Sequence, residues 1–320
     1  MKVIRYYETG GPDVLKYEDA PTPEPGPDQL LVKLAGASVN FADVGRRRGT
    51  FPLPPGASLP LIPGGECAGV VETVGSNVTG FKKGDSVFTR AGSPGYAEYA
   101  VVDAAQAFRA PSTLSLVEAA SISTSFATAW QVVANRAKVQ PGEHVLVQAC
   151  ASGVGIAIVQ VAKHLGATVI GTASTDEKLE WAKQYGLDHG INYETNEFVD
   201  EVKALTDGNG VPVVIDGVGG DVFLRGLKAL QPYGRMVVYG VASGKRSAEV
   251  VLPELWFTNL TILGAGGSIP RDQADTLFAK FDDGTFRSTL DRTWPLAQAA
   301  EAHRYLEDRK VHGKVALTME

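Results

Sequence analysis

A run of small residues, Cys150-Ala151-Ser152-Gly153-Val154-Gly155, separates an apolar stretch from an amphipathic one. Side chains this small let backbone N–H groups come close to a ligand, and the chemistry that rewards such an approach is that of a phosphate. Before the run, His144-Val145-Leu146-Val147-Gln148-Ala149 reads as a buried strand. After it, residues 156–165 read as a helix stopped by Gly166. Strand, tight turn and helix lay a pyrophosphate on a helix N-terminus, with Ser152, Gly153, Val154 and Gly155 as the residues that hold it. The turn is a degenerate G-x-G-x-x-G, because Cys150 and Ser152 hold its first two glycine positions.

The following strand, residues 167–172, supplies the second half of the signal. An NAD site presents Asp or Glu about 20 residues past the glycines, to accept the ribose 2′-hydroxyl. Here Ala173-Ser174-Thr175 holds that place, with Lys178 one helical turn further on. A carboxylate would repel a 2′-phosphate, whereas a hydroxyl and an ammonium bind it through charge-assisted hydrogen bonds. The pattern favours NADPH over NADH. A plainer reading stays open: Ser174 to Glu177 as a helix N-cap with its box residue, and Lys178 as a surface lysine.

These residues need elements to hold them, and 320 residues are enough for about two domains, each with its own core. Residues 1–121 read as β-rich, with short apolar or alternating runs between Gly and Pro clusters. Two loops, 21–27 and 51–65, are proline-rich, and the second is long enough to suggest a functional role. From residue 122 to 265 the rhythm changes to strand and helix in alternation. Strands are expected around 145, 169, 213–215, 236–239 and 260–263, with helices near 156–165, 176–185, 197–206 and 221–230. That alternation implies a parallel sheet covered on both faces. Residues 266–320 return to a mixed pattern and end in the strand 314–317.

The formal net charge of −6 disfavours nucleic acid or an anionic membrane as partner. No stretch has the length of a membrane span, and the first residues lack an apolar signal segment. Cys67 and Cys150 have no Cys-x-x-Cys spacing, so neither a disulfide scaffold nor a zinc lobe is expected. A cytoplasmic location is the expectation. The five histidines, 144, 164, 189, 303 and 312, lack ligand spacing and read as surface or helix-end residues.

An ordered set of further motifs runs along nearly the whole chain. It comprises 36–43 (GASVNFAD), 62–71 (IPGGECAGVV), 81–87 (FKKGDSV), 95–99 (GYAEY), the turn at 151–155, 191–193 (INY), 234–240 (GRMVVYG) and 306–310 (LEDRK). In these the chain resembles the zinc-free quinone oxidoreductase (zeta-crystallin-like) branch of the medium-chain dehydrogenase/reductase superfamily. The resemblance implies an α/β fold in which a Rossmann nucleotide-binding domain is inserted into a GroES-like β-rich catalytic domain. On this reading 1–121 and 266–320 form the catalytic domain, and 122–265 the NADP-binding one. Zinc-using relatives carry cysteine where this chain has Asn40 and histidine where it has Gly65, so no metal is expected; Glu66 alone does not make a site.

By position, the resemblance places Asn40 and Thr128 at the nicotinamide, Asn40 with a catalytic role as well. It assigns Ser174, Lys178 and Tyr193 to the adenosine 2′-phosphate, and Tyr239 and Arg309 to the rest of the cofactor's surroundings. Each has a plainer alternative: Tyr193 as edge packing, Tyr239 as a strand-end core residue, Arg309 as a charge opposing a helix dipole. Many relatives carry tyrosines after the asparagine; here the corresponding positions are Gly45 and Phe51. Phe51 is expected to line an apolar slot for a flat substrate. Of Arg46, Arg47 and Arg48, most read as a solvated charged face, with Arg47 expected to reach the substrate.

The implied chemistry is hydride transfer from NADPH to a conjugated carbonyl compound, with a quinone first and an alkenal or enone second. A protein that binds NADPH with little turnover, in a sensing or structural role, is the third reading. Residues 260–265 form an apolar strand, the last of its domain, and so are expected at a sheet edge. Such an edge is a hazard unless paired, so a homodimer through it is expected. The rival expectation is a monomer in which residues 266–291 cover that edge.

Overall fold

The computed structural model describes residues 1–54, 56–89 and 94–319. Pro55, within the proline-rich loop, lies outside them. The chain divides into two compact units, one made of 1–124 with 278–320, the other of 125–277. The second unit is therefore inserted in the first, with its far edge at 277 rather than 265. Residues 266–277 stay with the inserted unit because Gln131 Nε2 donates to the Gly266 carbonyl and Asn135 Nδ2 donates to Gln273 Oε1.

The first unit is built on a seven-stranded sheet whose longest member is Gln29–Val39. That strand is buried along nearly its whole length, as its run of Leu, Val and Ala demands. It pairs antiparallel with Cys67–Val74 on one side and with the tail strand Lys314–Thr318 on the other; Tyr99–Asp103 also pairs with its first half. Leu30, Val32, Leu34, Val71, Val87, Val315 and Leu317 form its core. The tail register sets Val315 against Val39. Lys314, one residue before Val315, therefore falls opposite Asn40, one residue after Val39. Asn40 in turn opens the helix Phe41–Arg48, which Gly49 closes in the left-handed conformation at φ 76°.

The second unit carries a six-stranded sheet, every pair parallel. Its spatial order is His189–Asn192, Thr168–Ala173, His144–Val147, Val211–Asp216, Leu230–Val238, Thr261–Gly264. In chain order that is third, second, first, fourth, fifth, sixth, the doubly wound dinucleotide arrangement. Val145, Leu146, Val147, Val213, Val214, Ile215, Met236 and Val237 have no exposed surface, which explains strands written as continuous apolar runs. The strand order reverses between His144–Val147 and Val211–Asp216, the point where such sheets take their ligand.

Candidate active site

The nucleotide turn begins with a backbone reversal: Ala149 adopts φ 51° as the first strand ends. Cys150 is buried without exposed surface, where burial pushes its thiol up to about 12. A glycine on the neighbouring strand makes its room, since a Cβ at Gly171 would lie 2.6 Å from Cys150 Sγ. Ser152 then caps the helix Gly153–His164, its Oγ accepting the Gly155 N–H at 3.1 Å. Gly155 is buried, and a Cβ there would lie 2.3 Å from the Ala149 carbonyl oxygen. Its amide is spent on the cap and its missing side chain on helix–strand packing. Of the four residues expected to hold the pyrophosphate, Gly155 thus shapes the turn, while Gly153 and Val154 open the first helical turn, whose N–H groups lack intrahelical partners.

Ser174 and Tyr193 each follow the last residue of one of two adjacent strands, and Lys178 lies in the helix Asp176–Lys183 that comes after Ser174. The parallel register pairs Asn192 with Ala173, and the Tyr193 N–H donates to the Ala173 carbonyl at 3.1 Å. Tyr193 is therefore level with Ser174, and its ring is 39% exposed. Thr175, not Ser174, is the N-cap of the helix Asp176–Lys183; its hydroxyl accepts the Lys178 N–H at 3.3 Å. Because Thr175 does the capping, the half-buried Ser174 is not needed for it. Tyr239 stands just past the fifth strand with its ring over Gly217, and burial, reinforced by the Asp216 carboxylate, holds its hydroxyl well above the usual phenol range. Thr128 is half-buried on the helix Ser123–Trp130.

In the other unit, Asn40 sits in a buried polar cluster. Its N–H donates to Asp43 Oδ2 at 2.9 Å, closing the first turn of the helix. Asp43 is 2% exposed, and burial pushes its carboxyl upward against the pull of that hydrogen bond and of Arg46. The Asn40 side chain is bonded at both ends. Lys314 Nζ donates to its Oδ1 at 2.5 Å, and its Nδ2 donates to Glu66 Oε2 at 3.1 Å. Glu66, with no exposed surface, also accepts from Ser123 Oγ at 3.0 Å and from the Thr124 N–H at 2.8 Å. Lys314 lies 3.5 Å from Glu66 Oε2 and is 5% exposed.

This donor set does not suit zinc. Asn40 and Gly65 offer neither thiolate nor imidazole, and the Lys314 ammonium supplies a positive charge beside the one carboxylate. Among the described residues no group of three or more His, Cys, Asp or Glu is placed to hold a metal ion. Lys314 is the residue that sequence reading missed. It appeared only as the start of a buried strand, and a lysine at such a place is the signal that could have found it.

Arg47 is a correction. It has no exposed surface and donates from Nη2 to Glu307 Oε1, so it is enclosed within the fold and paired there, where the run was expected to face solvent or substrate. Arg48 is the member of the run left largely in solvent, its side chain 54% exposed. His303 is a second correction: it is buried without exposed surface, its Nε2 3.0 Å from the Tyr96 hydroxyl. Phe51 is 47% exposed with Arg46 over its ring at 5.4 Å, and Phe41 beside Asn40 is 48% exposed. Arg309 is exposed and adopts φ 57° just past the helix Ala299–Glu307. A shallow groove of about 520 Å³ lined by Pro23, Glu24, Pro25, Thr73 and Ser76 contains none of these residues.

A doubly wound nucleotide unit inserted in a β-rich unit that carries an enclosed polar cluster is the architecture of a dinucleotide-dependent oxidoreductase. The family described as "Zinc-binding dehydrogenase" matches residues 153–280, and the "Alcohol dehydrogenase GroES-like domain" matches residues 26–112. The chain is 36% identical to a 2-haloacrylate reductase from Burkholderia sp, over 97% of each chain. A solved NAD-dependent alcohol dehydrogenase superposes with a TM-score of 0.92 at 34% identity, covering 100% of both chains. The Escherichia coli quinone oxidoreductase complexed with NADPH superposes with a TM-score of 0.90 at 32% identity, covering 99% of this chain and 100% of the other. The chain belongs to the medium-chain dehydrogenase/reductase superfamily, in its zinc-free quinone oxidoreductase-type branch, and is an oxidoreductase. No helix among the described residues is long and apolar enough to cross a membrane.

Proposed function

We propose that this oxidoreductase uses NADPH to reduce conjugated carbonyl compounds, with quinones as its first substrate class. The observation that carries this is the Asn40 amide, a neutral donor tied to Glu66 and Lys314 where zinc-using relatives place a metal ligand. A neutral N–H gives weak electrophilic help. That suits a substrate whose developing charge spreads over a conjugated system, and suits simple alcohol oxidation poorly. The half-exposed rings of Phe41 and Phe51 fit a flat, apolar substrate.

Ser152, Gly153 and Val154 hold the pyrophosphate in this reading, with Gly155 letting the turn close. Ser174, Lys178 and Tyr193 take the 2′-phosphate in this reading, since Ser174 and not a carboxylate follows the second strand, and the nearby Asp176 already accepts from Asn192 Nδ2 at 2.9 Å. Thr128 orients the carboxamide, and Tyr239 and Arg309 complete the cofactor's surroundings. NADPH, when bound, supplies the hydride. Asn40 donates an N–H to the substrate oxygen as that atom gains charge, and Phe51 lines the substrate's face.

A second reading, reduction of an alkenal or enone double bond, is favoured by the likeness to the 2-haloacrylate reductase. Both cysteines are buried free thiols, in keeping with a cytoplasmic protein. The protein works as a homodimer on this proposal. Thr261–Gly264 is the edge of its sheet with Ile262 40% exposed, and the neighbouring Leu252, Trp256 and Phe257 are 63%, 59% and 78% exposed. NADPH oxidation with a quinone panel and an enone panel, with product analysis, tests the function. Hydroquinone as the main product supports the first reading and a saturated carbonyl the second. No turnover with either panel leaves an NADPH-binding protein of another role.

A further inference from the structure

We propose that Lys314 is a positioning residue that fixes the flip of the Asn40 amide, so that an N–H and not the carbonyl oxygen is offered to the substrate. The inference rests on the reading above, in which Asn40 meets the substrate oxygen.

A primary amide can turn by half a rotation about its last bond and exchange oxygen for nitrogen with little change of shape. Here the partners forbid it. Lys314 Nζ, 2.5 Å from Asn40 Oδ1, has only hydrogens to give. The Glu66 carboxylate, 3.1 Å from Asn40 Nδ2, also faces the Thr124 N–H and the Lys314 ammonium, neither of which can accept, while Ser123 Oγ divides its one hydrogen between Glu66 Oε1 and the Thr89 carbonyl; toward Asn40 the carboxylate acts as an acceptor. A flipped Asn40 would set N–H against ammonium and carbonyl against carboxylate. Both faulty contacts would be buried, with Lys314 5% exposed and Glu66 fully enclosed. Glu66 has no freedom to follow the flip, because Ser123 Oγ and the Thr124 N–H hold its other oxygen.

The amide nitrogen carries two hydrogens, and Glu66 takes one. The other is left for a ligand. The ammonium at Oδ1 also draws electron density through the amide, making that N–H a stronger donor than an asparagine in water. The place of Lys314 is set by the fold: pairing Val315 with Val39 brings this lysine opposite Asn40 from the far end of the chain. It gives the cluster a positive charge 3.5 Å from Glu66 Oε2 on a side chain only 5% exposed.

The test compares the parent with Lys314→Arg, Lys314→Met and the double variant Lys314→Met/Glu66→Gln. The double variant removes both charges, so it leaves no buried carboxylate unpaired. The first readout needs neither cofactor nor substrate: the side-chain amide NMR signals of Asn40, assigned by their loss in Asn40→Asp. One slowly exchanging, downfield amide proton is expected in the parent and in Lys314→Arg, and its loss in the double variant. The second is turnover of whichever panel the parent accepts. A fall of about 10²-fold in kcat is expected in Lys314→Met and in the double variant, with KM for NADPH unchanged and most of the loss recovered by arginine. Parental kcat together with parental Asn40 signals in the double variant would overturn the proposal, leaving Lys314 a mere counter-ion of Glu66. If the parent reduces neither panel, the functional reading fails by itself, and the amide signals still decide whether Lys314 sets the flip.

Discussion

Arg47, enclosed without exposed surface, gives its guanidinium to the carboxylate of Glu307, 260 residues further along the chain. The bond ties the helix that starts at Asn40 to the tail helix Ala299–Glu307. Arg48 reaches the same carboxylate oxygen at 2.7 Å from the solvent side. Breaking a buried pair by removing one partner costs about 3–5 kcal/mol. Arg47→Met should fall at the lower end, because Glu307 keeps Arg48. The urea midpoint should drop while KM for substrate stays put. A raised KM at full stability would return Arg47 to the substrate.

His303 should give the protein an acid-sensitive limb. Burial pulls its imidazole from 6.5 down to about 3, and the nearby Arg47 charge acts in the same direction. Between those values the unfolded chain holds a proton that the folded one refuses. Stability is therefore undiminished above about pH 6.5, falls as pH drops below it, and stops falling from this cause near pH 3, at about 1.4 kcal/mol per pH unit. His303→Gln keeps a partner for the Tyr96 hydroxyl without titrating. Unfolding free energies measured from pH 7 to pH 4 should decline less steeply in that variant, and parallel curves would refute the assignment.

NADPH should bind far better than NADH. One charge-assisted contact is worth about 1.5–3 kcal/mol, so Lys178→Ala should weaken NADPH roughly ten-fold or more and leave NADH almost unchanged. Cofactor titration by fluorescence decides it. Equal curves for both cofactors in the parent would mean that Ser174 and Lys178 meet no phosphate.

Gly155→Ala should damage the turn from within. The added Cβ meets the Ala149 carbonyl at 2.3 Å, and backbone atoms have little room to yield. Overpacking of this kind costs about 1–3 kcal/mol, and NADPH affinity should fall with it. A variant with parental melting temperature and affinity would show that the helix approaches its strand less closely than described.

The exposed edge strand predicts a mass near twice the 33.8 kDa of one chain in light scattering. Ile262→Lys, placing a charge on the strand that is expected to pair, should shift that mass to the monomer without unfolding the nucleotide unit. A monomeric parent at micromolar concentration would end the dimer proposal.

Much of the nucleotide unit was written locally. Its strands are continuous apolar runs, and a parallel sheet covered on both faces requires just that, so Val145, Val169 and Val213 announced themselves. The turn was legible for a similar reason, since only small residues pass between strand and helix at that distance. The strand His189–Asn192 went unread except as a motif. It has four residues, one of them glycine, and its neighbour Thr168–Ala173 determines its pairing.

The polar cluster was a different matter. Asn40 could be singled out from its motif, and Glu66 was noted as a leftover carboxylate. Nothing near either in sequence points to Lys314, 274 residues from Asn40. Likewise Arg47 and Arg48 are adjacent and chemically identical, yet one is enclosed and the other lies in solvent. Local pattern reports what a residue can do, because helix and strand periodicities act over a few positions. Which charge finds which partner depends on strand register and on helices packed from opposite ends of the chain. The sequence by itself determined the nucleotide fold and its phosphate turn; only the tertiary structure decided that Lys314 would face Asn40 and that Arg47 would be buried against Glu307.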